Sequence, residues 1–274
     1  MKVLNRYFNR KKTPKSDSSK PKEGKEILEE QIDMSMKEFN RSNLGLFMSA
    51  FTAGLEIGFS VLFMGTIFTM FGEQLSPEVM KLLMALCYPI GFIFVIIGRS
   101  ELFTEHTSLA ILPALNGSVR FRNILVLWAL VYSGNLIGGY IFSLLISKIG
   151  PVVGFIKPST FHHLAEELVD YNWDTILLSA LLAGWMMGLL GWLVTSSQDT
   201  ISRILVISLV TFIIGVAGLH HCIVGSIEVF TGVLSSSEIT FDDYLKFQFW
   251  ATVGNAVGGS VFVAILKFSH VRFK

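Results

Sequence analysis

Six stretches of nearly unbroken apolar residues run along the chain, at about 45–71, 81–115, 121–147, 173–197, 201–235 and 245–268. A helix needs roughly 20 residues to cross about 30 Å of hydrocarbon, so each stretch is long enough for one span. The second and fifth are too long for a single straight helix. Irregular backbone is excluded from lipid, so each must break where protein or a cavity surrounds it. Ahead of the spans, residues 1–42 are polar, and "TPKSDSSKPK" (13–22) reads as disordered by composition. Leu28, Ile32, Met36 and Phe39 fall on one side of a short amphipathic helix over 24–40. That face suits the headgroup surface, with a partner-binding motif as the alternative.

Internal repetition arranges the spans. Residues 98–104 read "GRSELFT" and residues 225–231 read "GSIEVFT", both Gly-x-x-Glu-x-Phe-Thr, one in each over-long stretch. "SGNLIGGYIF" (133–142) returns as "VGNAVGGSVF" (253–262). Residues of about 43–147 and 173–268 therefore form duplicated units of three spans. Three is odd, so the second unit enters the membrane from the other side, an inverted repeat. The expected fold class is all-α integral membrane: six transmembrane helices in an inverted 3+3 repeat, the second and fifth broken at Gly98 and Gly225. Glycine permits the backbone angles a break needs.

Composition agrees: 51% of residues are hydrophobic and 16% charged, against about a quarter charged in soluble domains. The net charge of +1 carries little information, but its distribution does, since 11 of the 22 Lys and Arg lie in residues 1–42. With the N-terminus inside, the inner segments (1–42, 116–122, 198–203 and the C-terminus) hold 17 of the 22. Outer loops hold Lys81, Lys148, Lys157 and Lys246, and Arg99 sits at a break. The positive-inside rule then gives a multi-pass plasma-membrane protein with both termini cytoplasmic. The domains are a basic tail (1–42), a channel domain (43–268) and a C-terminal end (269–274). The basic start lacks the apolar stretch of a cleaved signal. Cys87 and Cys222 read as small apolar residues within spans.

No phosphate-binding loop, nucleophile elbow or metal-protease helix is present. Nothing points to catalysis, a cofactor, ATP coupling or nucleic acid. The chemistry on offer lies at the breaks, where a half-helix end exposes N–H groups and partial positive charge that attract small anions. Glu101 and Glu228 either cap their own breaks or act on the solute, because an unpaired carboxylate in hydrocarbon is costly. Arg99 can pair with Glu101 or Glu105. Phe103 and Phe230 can narrow a pore, and Thr104 and Thr231 offer hydroxyls. His220 and His221 can hydrogen-bond or exchange protons near neutral pH; adjacent histidines alone make no metal site. The Gly-Asn-x-x-Gly-Gly segments let helices approach closely, with Asn135 and Asn255 donating across the contact.

"GRSELFTEHT", "GNLIGG", "GLHHCIVGSIEVF" and "GNAVGG", in this order and spacing, resemble the formate/nitrite transporter family over about residues 43–268. With Glu56 in "GLEIGF", the form is similar to a glutamate-rich, less-studied branch. The resemblance implies an aquaporin-like six-helix fold, a homopentamer with one pore per protomer, and passage of small monovalent anions, often with a proton. It assigns the loop threonine to Thr104, the pore histidine to His221 and the nearby polar residue to Asn255. It places constrictions at Tyr88 and Phe92, and at Ile214 with Phe103 nearby. Two departures stand out. The family's vestibule lysine falls on Leu168, flanked by Glu166, Glu167 and Asp170, an acidic vestibule that would repel anions, and Tyr88 stands where Phe is usual.

The leading expectation is a channel or proton-coupled transporter for a weak-acid anion that is protonated near His221 and crosses as the neutral acid. The alternatives are the same fold conducting a neutral solute or a cation such as ammonium, and a non-transporting membrane scaffold or sensor.

Overall fold

Capping side chains start the helices where the sequence turns apolar. The computed structural model describes residues 20–272. The reading of residues 1–19 and of the last two lies outside the described residues. Helix α1 (Gly24–Phe39) precedes the first span, α2 (Asn43–Phe71), whose N-cap Ser42 accepts from Gly45 N at 3.2 Å. Ser76 caps α3 (Pro77–Cys87), with Pro77 in its first turn where the missing N–H costs nothing. The chain continues through α4 (Pro89–Gly98), α5 (Phe103–Leu109), α6 (Leu112–Leu115) and the long α7 (Phe121–Val153). The second half is α8 (Pro158–Val169), α9 (Trp173–Ser196), α10 (Thr200–Ala217), α11 (Val224–Ser235) and α12 (Phe241–Val257). The last runs through a π-helical turn (Gly258–Ile265) into α13 (Leu266–Arg272). At α10, Asp199 accepts from the amide and hydroxyl of Ser202 at 2.9 and 2.6 Å, which holds its carboxyl below the usual range.

Six helical segments are long and apolar enough to span: Asn43–Phe71, Pro77–Gly98, Phe121–Val153, Trp173–Ser196, Thr200–Ala217 and Phe241–Arg272. No strand occurs among the described residues. The second span kinks at Pro89, which has no N–H to give the helix ladder. Ser60 of α2 repairs this bend. Its Oγ donates to Tyr88 O at 2.6 Å and accepts from Gly91 N at 2.9 Å.

The inverted repeat is written in close helix contacts. A Cβ on Gly54 would lie 2.2 Å from Asn135 O, and one on Gly184 would lie 2.2 Å from Asn255 O. Gly138 and Gly258 repeat the match, each 2.2 Å from a backbone oxygen, of Phe51 and Leu181 respectively. So α2 grips α7 as α9 grips the last span. Between membrane helices, where lipid is as apolar as the side chains, such backbone proximity supplies the packing attraction.

Helix α1 differs from the expected headgroup helix. Its Ile27, Leu28 and Ile32 are buried against Leu112, Trp192 and Ala264. Lys22 Nζ straps its start to Thr195 O at 2.7 Å. The apolar face is covered by the bundle, because the ends of α6, α9 and the last span offer it a protein surface.

Substituting Gly184→Ala tests the contact. It is expected to lower the thermal unfolding midpoint in detergent through overpacking, a cost of about 1–3 kcal/mol. Gly191→Ala on the same helix, whose added Cβ meets nothing nearer than 3.9 Å, is expected to keep the midpoint or raise it. Equal midpoints for the two variants would refute the packing argument.

Candidate functional site

The two breaks are built alike, but in a different register from the two heptads. The first turns at Arg99, with φ 65 and ψ 35, and the second at Gly218, with φ 64 and ψ 37. Arg99 is the sole non-glycine residue at positive φ among the described residues. Asn135 Oδ1 accepts from Phe103 N at 2.8 Å while its Nδ2 donates to Ala50 O at 2.8 Å and Glu101 O at 2.9 Å. Asn255 repeats all three contacts, with Cys222 N at 2.8 Å, Ala180 O at 2.7 Å and His220 O at 3.0 Å. Glu101 therefore corresponds to His220 and Phe103 to Cys222, a spacing of 119, whereas the heptads are 127 apart. Gly225 lies inside α11, and the second break opens at Gly218. The heptad match is a coincidence of apolar sequence. The Gly-Asn match is the structural repeat.

Neither glutamate caps its break. Glu101 Oε2 meets His106 Nε2 at 2.6 Å and its Oε1 takes Arg41 Nη1 at 3.1 Å, which in turn contacts Glu38 at 3.0 Å. The carboxylate is drawn off by Arg41, in the turn between α1 and α2, and by His106 of α5, and the asparagines take over the capping. Arg99 makes no ion pair with Glu101 or Glu105 among the described residues; its side chain is exposed at the mouth of a cavity. Glu228 stands in the middle of α11, past the break. The half-helix ends are also less open than expected. Cys222 N is used by Asn255, while Ile223 N and Val224 N both donate to His221 Nδ1 at 3.3 Å.

These two bonds fix the histidine. With Nδ1 accepting, the ring proton sits on Nε2, which donates to Thr104 Oγ1 at 2.9 Å. That contact joins the two broken segments. Phe92 presents an edge to the His221 ring at 5.3 Å and packs beside Tyr88 at 5.4 Å. His220 bonds Ser179 Oγ at 2.8 Å, and its Nε2 faces Leu168 O at 3.1 Å.

Two cavities flank this centre and share no lining residue. One, of about 170 Å³, opens on the face away from α1; Lys81, Tyr88, Glu167, Ile214, His221 and Glu228 line it. The other, of about 320 Å³, lies under α1 and includes Arg41, Arg99, Glu101, Glu105 and His106. Phe92, Leu102 and Thr104 between them have no exposed surface.

Several expected residues serve packing. Phe103 sits against Tyr132 and Trp128, at 4.9 and 6.0 Å, and Phe230 against Tyr140 and Tyr244, at 4.7 and 5.8 Å, and neither lines these two cavities. Thr231 turns its hydroxyl back to Glu228 O at 2.8 Å. Asn255 is fully buried and spends its amide on the break. Of the acidic cluster only Glu167 reaches the cavity. Glu166 faces His162 at 3.7 Å, and Asp170 ends α8, exposed. Lys81 was legible only as a loop charge, because the cavity it enters is assembled from distant segments. Glu56, from mid-span α2, lies beside Gly98 with Oε2 buried and unbonded.

Residues 25–269 match the family model described as formate/nitrite transporter. The chain is 29% identical over 238 residues to the inner membrane protein YfdC of Escherichia coli strain K12, covering 86% of this chain and 75% of that one. It is 28% identical to the nitrite transporter NirC of Salmonella typhimurium, covering 81% of each. A solved structure described as a pentameric formate channel with formate bound superposes with TM-score 0.74 at 22% identity, over 85% of this chain and 98% of that chain. The shared architecture is the aquaporin-like inverted repeat.

Replacing Asn255 by Ala is expected to orphan the buried N–H of Cys222 and the carbonyl of His220, each costing about 1–3 kcal/mol. Asn135→Ala removes the same set in the other half. Both are expected to lower the unfolding midpoint in detergent well beyond Thr231→Ala, which loses one bond within a helix. A midpoint for Asn255→Ala no lower than that of Thr231→Ala would refute the bracing role.

Proposed function

The chain belongs to the formate/nitrite transporter family, and from this premise we propose that it carries small monovalent weak-acid anions of the formate and nitrite class across a membrane. The six apolar spans fit a multi-pass membrane protein. Its transporter relatives support a carrier or channel rather than an enzyme. By the charge distribution both termini face the cytoplasm, so the cavity under α1 is the inner one. Assembly as a homopentamer is proposed from the likeness to the pentameric formate channel.

One observation carries the reading: the polar contact of His221 Nε2 with Thr104 Oγ1 in the buried zone between the two cavities. A bare anion loses its hydration there at a cost of many kcal/mol, whereas its neutral acid does not. The solute therefore crosses as the acid. His221 holds one ring proton and uses Nδ1 as an acceptor, so giving up that proton would leave an imidazolate. The proton comes in with the solute from solution, and His221 and Thr104 act as the hydrogen-bonding station that replaces water at the midpoint.

The glutamates of the outer cavity favour one other reading, passage of a cation such as ammonium, since carboxylates attract cations. Proteoliposome flux separates the two. Formate uptake is expected to rise about tenfold per unit fall in pH above the solute's own titration, and methylammonium uptake to stay at the level of empty liposomes. His221→Ala is expected to lower formate flux at every pH without changing the shape of the profile. A flattened profile would make His221 a proton source, and methylammonium flux above formate flux would select the cation reading.

A further inference from the structure

The outer cavity holds two groups that nothing in the proposed path has yet used. Glu228 projects from α11 with only 8% of its surface exposed, lines the cavity beside Tyr88 and His221, and makes no side-chain hydrogen bond or ion pair among the described residues. Lys81 reaches the same cavity from α3. A Cβ on Gly218 would lie 3.8 Å from its Nζ, so the ammonium hangs over the second break. Lys81 also has no ion pair, and it borders the adjoining outer recess with Glu78, His163 and Glu167.

The surroundings of Glu228 leave few other candidates for its partner. From α8, Glu167 faces the cavity but is drawn to His163 at 3.4 Å, and Glu166 turns to His162. From α12 and α7, Tyr244 is bonded to Ser226 and Tyr140. Tyr171 contributes to the cavity wall, and α2 presents Met64 there. Tyr88 and His221 line the same cavity.

We propose that Lys81 and Glu228 form an outer recognition station for planar oxyanions, Lys81 attracting the anion and the neutral carboxyl of Glu228 donating a hydrogen bond to one of its oxygens. A carboxylate or nitrite has two acceptor oxygens, one for each group. A spherical anion such as chloride has no such pair. Ionised Glu228 would instead repel the solute just above the Tyr88 constriction, so the station closes as Glu228 loses its proton. The inference rests on the anion reading above and names the residues that select the anion.

The test is initial-rate formate and nitrite uptake by proteoliposomes holding the full chain, from about pH 5 to about pH 8. Glu228→Gln keeps shape and hydrogen-bond donation but cannot ionise. Its flux relative to wild type is expected to be near unity at the acidic end and to climb several-fold at the alkaline end. Lys81→Met is expected to raise KM about tenfold with kcat and the pH profile unchanged. High salt is expected to shrink that gap, and Lys81→Arg to restore KM. A Glu228→Gln to wild-type ratio that is constant with pH, or loss of flux at every pH, would overturn the station. So would an unchanged KM in Lys81→Met, which decides the matter alone if Glu228→Gln does not fold. Wild-type protein that passes neither anion would sink the anion reading itself, a result distinct from any of these.

Discussion

A broken helix inside a membrane leaves backbone donors and acceptors that water cannot reach, and the whole molecule is arranged around satisfying them. Two asparagines do most of this. Asn135 and Asn255 each take one N–H and two carbonyls, tying a break to the helix that starts its own repeat. The glycines around them let α2 and α9 come close enough for those bonds to form. Without that proximity the asparagine could not span the gap, and without the asparagine the break would be an open wound in hydrocarbon.

The same economy explains the chemistry of the centre. His221 is a structural cap for its own loop through Nδ1 and a donor to Thr104 through Nε2. Its two roles are coupled, because the first dictates which nitrogen carries the proton. Charge is kept to the two ends: an Arg41–Glu101–His106 chain under α1, and Lys81 with Glu228 and Glu167 opposite. A neutral waist between charged ends suits a solute that is ionic in water and uncharged in transit.

Much of this was legible in sequence. Apolar lengths gave six spans, the odd unit size gave inversion, and the resemblance pointed to His221 and Thr104. The register of the repeat was not. "GRSELFT" and "GSIEVFT" look equivalent, yet the equivalent of Arg99 is Gly218, and no residue pattern marks a left-handed turn made by an arginine. Glutamate was expected to cap because it can, but His106 of the following turn and Arg41, 60 residues away, hold Glu101 instead. Lys81 was hidden for the same reason: a vestibule is a meeting of distant segments. Helix α1 was visible as an amphipathic pattern, while the surface it covers was not.

The inverted repeat makes the backbone of the path symmetric, yet the polar groups at its two ends are not. One mouth gathers Arg41, Arg99, Glu101, Glu105 and His106, with Glu101 held between an arginine and a histidine; the other sets Lys81 and Glu228, without an ion pair among the described residues, beside Glu167. Such a path is a diode in its kinetics but cannot be one at equilibrium. Detailed balance requires that any difference in half-saturation between influx and efflux be matched by an equal ratio of maximal rates. The unlike mouths therefore set the concentration at which each direction saturates, and the gradient alone sets which way the solute goes.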